Sequence, residues 1–310
     1  MRTATKTHLT SDQIAAICRR HLGGAPSNVV ELKDGMYNTA YRLDLDKPYV
    51  LKVAPPDDVP VLRYEKGIFR SEVEVMRLVE ARTTIPVPHI YAYDPSRDII
   101  ACDYYVMDFV EGVPLFGSRE KMSEEALSRT DRESGEMLRQ LNAIEGSRYG
   151  IYAQATHDSW RKAFEWLFMS LLADGKAIGV DLPYEELERR YRAYEPLLDA
   201  VNSPRLVHWD LWDGNIFLIP ETGEITGIID FERSLWGDPL MEFNFINASP
   251  AFLEGYGSNP LESDDAKRLR RLYTIYLCLV GIIEAPYRQY ESQSAIQWAI
   301  DWFAAEYPQF

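Results

Sequence analysis

Apolar and polar positions alternate along the first third of the chain and then give way to a helical rhythm. The runs "NVVEL" (28–32), "TAYRLDLD" (39–46) and "YVLKVA" (49–54) read as strands, the last two joined by a turn at Lys47-Pro48. Ahead of them, Thr10 followed by Gln13 forms a capping-box pattern that opens a helix closing near Gly23-Gly24. From Tyr64 to Glu80, the apolar residues Ile68, Phe69, Val75, Met76 and Val79 recur at helical spacing. After "IPVPHI" the runs "IIAC" and "YYVMDFV" are again β-type, ending at Gly112 and Pro114. Helical patterns then dominate: Ser123 to about Ile144, Ser159 to about Ala177, Tyr184 to about Val201, Asp264 to about Tyr290, and Ala295 to Tyr307. Only "LVHWDLWDGNIFL" (206–218) and "EITGIIDF" (224–231) interrupt them. This change of period predicts an α+β chain of two lobes, a β-rich one over residues 1–110 and a mostly helical one over 111–310.

Composition narrows the partners. Of 310 residues 46% are hydrophobic and 26% charged, as in an ordinary globular protein, and the formal net charge is -15. That sign disfavours nucleic acid and anionic membrane surfaces as partners. Cys18, Cys102 and Cys278 are far apart and show neither metal-ligand spacing nor a disulfide framework. The opening "MRTATKTHLTSDQ" lacks the apolar run of a secretory signal, and "LYTIYLCLVGIIEA" is too short to span a bilayer. A cytoplasmic location is expected. The aromatics Trp160, Phe164, Trp166 and Phe168 read as core.

The polar centre of "LVHWDLWDGNIFL" is where chemistry gathers. His208, Asp210 and Asn215 follow the spacing H-x-D-x-x-x-x-N, and Asp230 ends the apolar run of "GIIDFE". A turn at Thr222-Gly223 lets the two β-type runs pair as a hairpin, which brings Asp210, Asn215 and Asp230 together. Two carboxylates and an amide oxygen are hard ligands suited to Mg2+. Phosphoryl transfer asks for this set: one carboxylate for the attacking hydroxyl, and oxygens for metal bound to phosphates.

Two further features point the same way. Glu72 lies within the apolar stripe of its helix, where a carboxylate needs a partner. Lys52 alternates out of phase with Leu51 and Val53, and a Lys52–Glu72 pair would hold an ammonium ready for ATP phosphates. The "DGMYNTAY" turn offers backbone N–H groups from Gly35 through Asn38 to Thr39 for the same phosphates.

With "GMYNTAYRL", "YVLKV", "SEVEVMRL", "YVMDFVEGVPL", "VHWDLWDGNIF" and "GIIDFERSLWGDPLMEF" in hand, the chain resembles the aminoglycoside phosphotransferase and choline kinase superfamily along nearly its whole length. The last two motifs are the most specific. The resemblance implies a bilobal protein-kinase-like fold, ATP or GTP as donor, Asp210 as the catalytic aspartate, and Asn215 and Asp230 as magnesium ligands. It makes "MDFV", Met107 to Val110 and with it Asp108, the hinge whose backbone holds the adenine. His208 is expected to orient the catalytic loop. Trp209 stands where the family usually has glycine, and Asp213 where a small residue or proline is more familiar; both departures bear on the acceptor side. "HWDLW" is also similar to the fructosamine kinases.

The expected activity is transfer of a γ-phosphoryl group to a hydroxyl of a small molecule. Asp213, Glu232, Asp238 and Glu242 accumulate near the proposed catalytic elements and favour a cationic, aminoglycoside-like acceptor, with a resistance role. The alternatives are a kinase of a housekeeping metabolite (an amino alcohol, fructosamine or sugar) or of a macrolide. From another class, the chain is a nucleotide-binding module without activity.

Overall fold

The computed structural model describes residues 5–33, 35, 37–289 and 296–310. Asp34 and Met36 of the "DGMYN" turn, and the expected helix limits at Tyr290 and Ala295, lie outside the described residues. The chain divides by packing into two units. The first takes in the described residues of 1–61, 88–110 and 284–295, and the second those of 62–87, 111–283 and 296–310.

In the first unit, helix α1 (Ser11–Leu22) begins at the capping box between Thr10 and Gln13 and ends on Gly23 at φ 78°. Strands β1 (Asn28–Leu32), β2 (Thr39–Asp44), β3 (Pro48–Val53), β4 (Ile90–Asp94) and β5 (Tyr104–Asp108) form one antiparallel sheet in the order β1-β2-β3-β5-β4. β3 is the middle strand, and its residues from Tyr49 to Val53 are all buried. A segment before α1 is tied to the sheet: the Thr7 N–H donates to the Thr39 hydroxyl, and the Leu9 N–H to the Tyr41 hydroxyl.

The run "IIAC" is not a strand; β4 lies earlier, over Ile90–Asp94. The polar residues between the two explain it. The Ser96 N–H donates to the Asp94 carboxylate at 2.8 Å and turns the chain, Arg97 sits at φ 62°, and its guanidinium holds Asp57 and Asp103. Ile100 and Cys102 are apolar because they plug the core, without pairing in a ladder.

The second unit is mostly helical. It holds α2 (Ile68–Arg82), β6 (Val113–Pro114), α3 (Glu124–Asn142), β7 (Gly150–Ile151), α4 (Trp160–Ile178), α5 (Tyr184–Tyr191), α6 (Glu195–Leu198), β8 (Arg205–Val207), β9 (Ile216–Ile219), β10 (Glu224–Ile228), β11 (Leu235–Gly237), α7 (Pro250–Tyr256), α8 (Asp264–Arg288) and α9 (Gln297–Glu306), with the last turn of α8 grouping with the first unit. By packing, α2 belongs here because it lies along the 231–233 turn, whereas the expected lobe boundary had placed it with the sheet. The single helix expected from Tyr184 to Val201 is broken: Pro196 has no N–H to continue the ladder, so α6 restarts on it. Trp160, Phe164 and Phe168 are fully buried on α4, as core residues.

α3 and α7 meet backbone to backbone. A Cβ on Gly135 would lie 2.1 Å from the Phe252 carbonyl oxygen, and one on Gly255 2.0 Å from that of Arg132, so neither position admits a side chain as packed. Among the described residues no helix is long and apolar enough to cross a membrane, and Cys18, Cys102 and Cys278 are free thiols buried in the protein.

Candidate active site

β8 ends at Val207, and the chain turns sharply into the polar stretch that follows. Trp209 adopts φ 63°, a left-handed backbone that favours glycine. Its ring is buried, stacked on Tyr276 of α8 with centroids 5.5 Å apart and edge-on to Tyr64 at 5.6 Å. The expectation that Trp209 shapes the acceptor side is therefore corrected: the ring is part of the core beneath the loop.

His208 is completely buried, and both of its ring nitrogens meet backbone. Nε2 lies 3.1 Å from the carbonyl oxygen of Ile229, and Nδ1 accepts the Asp210 N–H at 3.2 Å. With Nδ1 accepting, Nε2 carries the proton and donates it to Ile229. Burial pushes the imidazole pKa down to about 4, so it is neutral at ordinary pH. His208, expected to orient the catalytic loop, has both ring nitrogens committed to backbone atoms. It couples the backbone before Asp210 to the backbone before Asp230.

The hairpin of β9 and β10 closes the rest of the arrangement. The Asn215 side-chain amide donates to the Asp210 carbonyl at 2.8 Å, and the Ile229 N–H donates to the Asn215 carbonyl at 3.1 Å. With its nitrogen engaged, Asn215 has Oδ1 as the side-chain atom whose lone pairs it can offer. Asp230 adopts φ 63° at the end of the β10 stretch, and both Asp210 and Asp230 are half-buried. The hairpin expected from the two β-type runs is present, and its backbone hydrogen bonds join the segments that carry the three residues.

The carboxylates expected to face an acceptor are mostly used inside the protein. Glu242 is fully buried and accepts the N–H groups of His208 at 2.8 Å and Trp209 at 3.1 Å, with Asn142 of α3 donating at 3.3 Å. Burial raises its pKa to about 7 despite these donors. Arg270, itself buried, donates to the carbonyls of Leu240 and Glu242. Asp238 is buried, accepts from the Tyr273 hydroxyl at 2.7 Å and the Leu240 N–H at 3.0 Å, and is raised in pKa by burial. Glu232 is buried in the 231–233 turn. Asp213 is held by Arg119, whose second nitrogen reaches Asp131 at 2.9 Å. The loop-bracing role of Glu242 was not read from the sequence, although a glutamate inside the apolar run "LMEF" is the signal for it.

The nucleotide candidates of the first unit are placed as follows. Lys52 is buried on β3, opposite Ala40 and Tyr105 in the ladders, and Glu72 is buried on α2 of the second unit. Gly35 is exposed, while Asn38 and Thr39 are buried. Thr39 uses its hydroxyl to anchor Thr7, and the Asn38 carbonyl accepts from Lys6. The Asp108 side chain is taken by Lys47 at 2.6 Å and Tyr91 at 2.9 Å, and β5 stops there, leaving Val110 beyond the strand.

Residues 28–270 match the phosphotransferase enzyme family, a span that contains Lys52, Glu72, His208, Asp210, Asn215 and Asp230. The chain belongs to that family. Among its relatives, the phosphotransferase is 24% identical over 225 residues to "Probable ketoamine kinase YniA" of Escherichia coli strain K12, covering 67% of this chain and 72% of that one. It is 22% identical over 251 residues to "Probable acyl-CoA dehydrogenase IBR3" of Arabidopsis thaliana, covering 74% of this chain but only 30% of that much longer protein. Its fold is that of kinase-like structures. A Thermobifida fusca protein described as a candidate fructosamine-3-kinase superposes with TM-score 0.69 at 18% identity, over 97% of this chain and all of that one. The streptomycin–ATP ternary complex of APH(2")-IIa gives 0.62 at 17% identity, over 96% and 97%. The chain is therefore a phosphotransferase by family, with a kinase-like fold.

Proposed function

We propose that this phosphotransferase uses ATP and magnesium to phosphorylate a hydroxyl of a small ketoamine. The observation that carries the reading is the backbone network through His208 and Asn215, which fixes Asp210 and Asp230 relative to each other. Asp210 would orient the acceptor hydroxyl and accept its proton as the new O–P bond forms and the bond from the γ-phosphorus to the β–γ bridging oxygen breaks, releasing ADP. Asn215 Oδ1 and the Asp230 carboxylate are hard oxygen donors that would hold magnesium. Among the described residues no cluster of three or more His, Cys, Asp or Glu forms a metal cage. Phosphate oxygens of the donor would complete the coordination, as a kinase site requires. Lys52, paired with Glu72, would neutralise phosphate charge, the 35–39 turn would cover the phosphates, and the backbone from Asp108 to Val110 would hold the adenine.

The acceptor class draws its support from the relatives named as ketoamine and fructosamine kinases. An aminoglycoside-like polycation was expected from four extra carboxylates, but Glu242, Asp238 and Glu232 are buried and Asp213 is bound by Arg119. That removes the physical argument for a polycation. The test is a panel of N-substituted fructosamines, aminoglycosides and amino alcohols, assayed for ADP and for phosphorylated product. Fructosamines are expected to be consumed, and Asp210→Asn to lower turnover by about a hundredfold or more. Preferential turnover of an aminoglycoside, or an Asp210→Asn enzyme within about threefold of wild type, contradicts the reading.

A further inference from the structure

The backbone proposed to hold the base, residues 108–110, is pinned through its side chains by other parts of the sheet. β5 ends at Asp108, and both oxygens of its carboxylate are engaged. Oδ1 accepts from the Lys47 ammonium at 2.6 Å and from the Tyr91 hydroxyl at 2.9 Å, and Oδ2 from the His89 N–H at 3.3 Å. Lys47 also donates to the Tyr91 hydroxyl at 2.7 Å, and the Asp108 N–H donates to the His89 carbonyl at 3.0 Å. The turn between β2 and β3, the start of β4 and the end of β5 therefore meet on one carboxylate. Phe109, the next residue, has the Arg42 guanidinium of β2 over its ring at 4.6 Å, and Arg42 is itself oriented by Asp44 at 2.8 Å.

Stability is a poor account of this cluster. The Lys47 side chain is 46% exposed and Tyr91 40%, and exposed ion pairs add little to folding. What the contacts do fix is geometry. Asp108 and Phe109 are both held through their side chains, so the peptide that joins them keeps one orientation. Hydrogen bonds to Asp108 and Tyr91 hold the Lys47 ammonium above its ordinary pKa, so it stays charged. Val110 follows, half-buried, and its N–H and carbonyl make no hydrogen bond among the described residues. Such groups are completed by a ligand or by water.

A backbone held in one orientation presents one order of donor and acceptor. Adenine carries an amino donor at position 6, where guanine carries a carbonyl acceptor. A site that satisfies one pattern rejects the other by leaving polar groups unpaired. That discrimination lasts only while the peptides cannot turn to suit the other base, and holding them beforehand also lowers the cost of binding.

We propose that Lys47, Tyr91 and Arg42 are positioning residues for the base, and that their clamp on Asp108 and Phe109 makes the enzyme select adenine over guanine. The inference rests on the reading of 108–110 as the base-holding backbone, and it names the side chains that make that backbone selective. Each of the three acts through the peptide it holds.

The experiment titrates ATP, GTP, adenosine and inorganic tripolyphosphate into the full chain by calorimetry, with magnesium present. Wild type is expected to bind ATP about tenfold or more tightly than GTP. Lys47→Met, Tyr91→Phe and Arg42→Met should each narrow that ratio by about threefold or more and weaken adenosine in step, with tripolyphosphate unchanged. Lys47→Arg keeps a charged donor for Asp108 and should retain the ratio. Thermal melting identifies a variant that has unfolded; the three lie on separate elements, so the folded ones decide. If wild type binds adenosine but folded variants keep its ATP-to-GTP ratio, or lose tripolyphosphate as much as ATP, the clamp is overturned and the base-holding backbone stands. A wild type that binds adenosine yet prefers GTP, or takes both nucleotides alike, has the same meaning. If adenosine does not bind and ATP binds no better than tripolyphosphate, no base is held at 108–110, and the clamp and the hinge reading fall together.

Discussion

Trp209 shows how a single residue can be right in motif and unusual in conformation. Its φ of 63° costs a non-glycine residue about 1–2 kcal/mol, which the buried indole recovers by stacking on Tyr276. Trp209→Gly relaxes the backbone but empties a core site, so a net loss of about 2 kcal/mol or more is expected, read as a lower urea midpoint. A variant as stable as wild type would mean the ring contributes little. Glu242 gives a pH prediction. Its pKa is raised from the ordinary 4.5 to about 7 by burial. A raised carboxyl adds stability that is fully present below 4.5 and is lost as pH rises through about 7. Glu242→Gln, neutral throughout, should remove that part of the pH dependence. Urea unfolding of both proteins at pH 5 and pH 8 checks this, and parallel profiles would contradict it. At this scale the hairpin that joins the segments of Asp210, Asn215 and Asp230 was legible, because the Thr222-Gly223 turn and the flanking β-type runs mark it. The bracing of the loop by Glu242 was not, because it joins residues more than thirty positions apart.

Elements follow the sequence where local signals agree with packing. The Thr10–Gln13 box and the Gly23 terminus of α1 lie where the pattern puts them. "IIAC" reads as a strand by composition, but only pairing makes a strand, and the Asp94–Ser96 turn takes the chain away from the ladder. Helix contacts without a periodic signature are the least legible: nothing in the sequence distinguishes Gly135 and Gly255 as the points where α3 touches α7. Gly135→Ala sets a methyl against the Phe252 carbonyl, so a loss of about 1–3 kcal/mol is expected from forced separation of the helices. Hydrogen exchange along α3 and α7 should rise with it, and an unchanged exchange pattern would show that the contact yields easily.

For the whole molecule, the net charge of -15 carries little argument about the acceptor, because the four extra carboxylates near the loop are buried or paired. The fold was legible as two regions of different period, whereas the membership of α2 was not, since packing against the 231–233 turn decides it. Lys52 and Glu72 belong to different units, and their proposed partnership makes a kinetic prediction at this scale. Lys52→Ala and Glu72→Ala should each raise the KM for ATP, and the double variant should be less impaired than the product of the two effects. Independent, multiplicative losses would separate the two residues. The contact between α3 and α7 has a longer reach. Because two backbones already touch there, no exchange of one side chain for a smaller one can draw these helices closer. The 243–249 segment and Phe116 can therefore change while the spacing of the helix pair stays as it is.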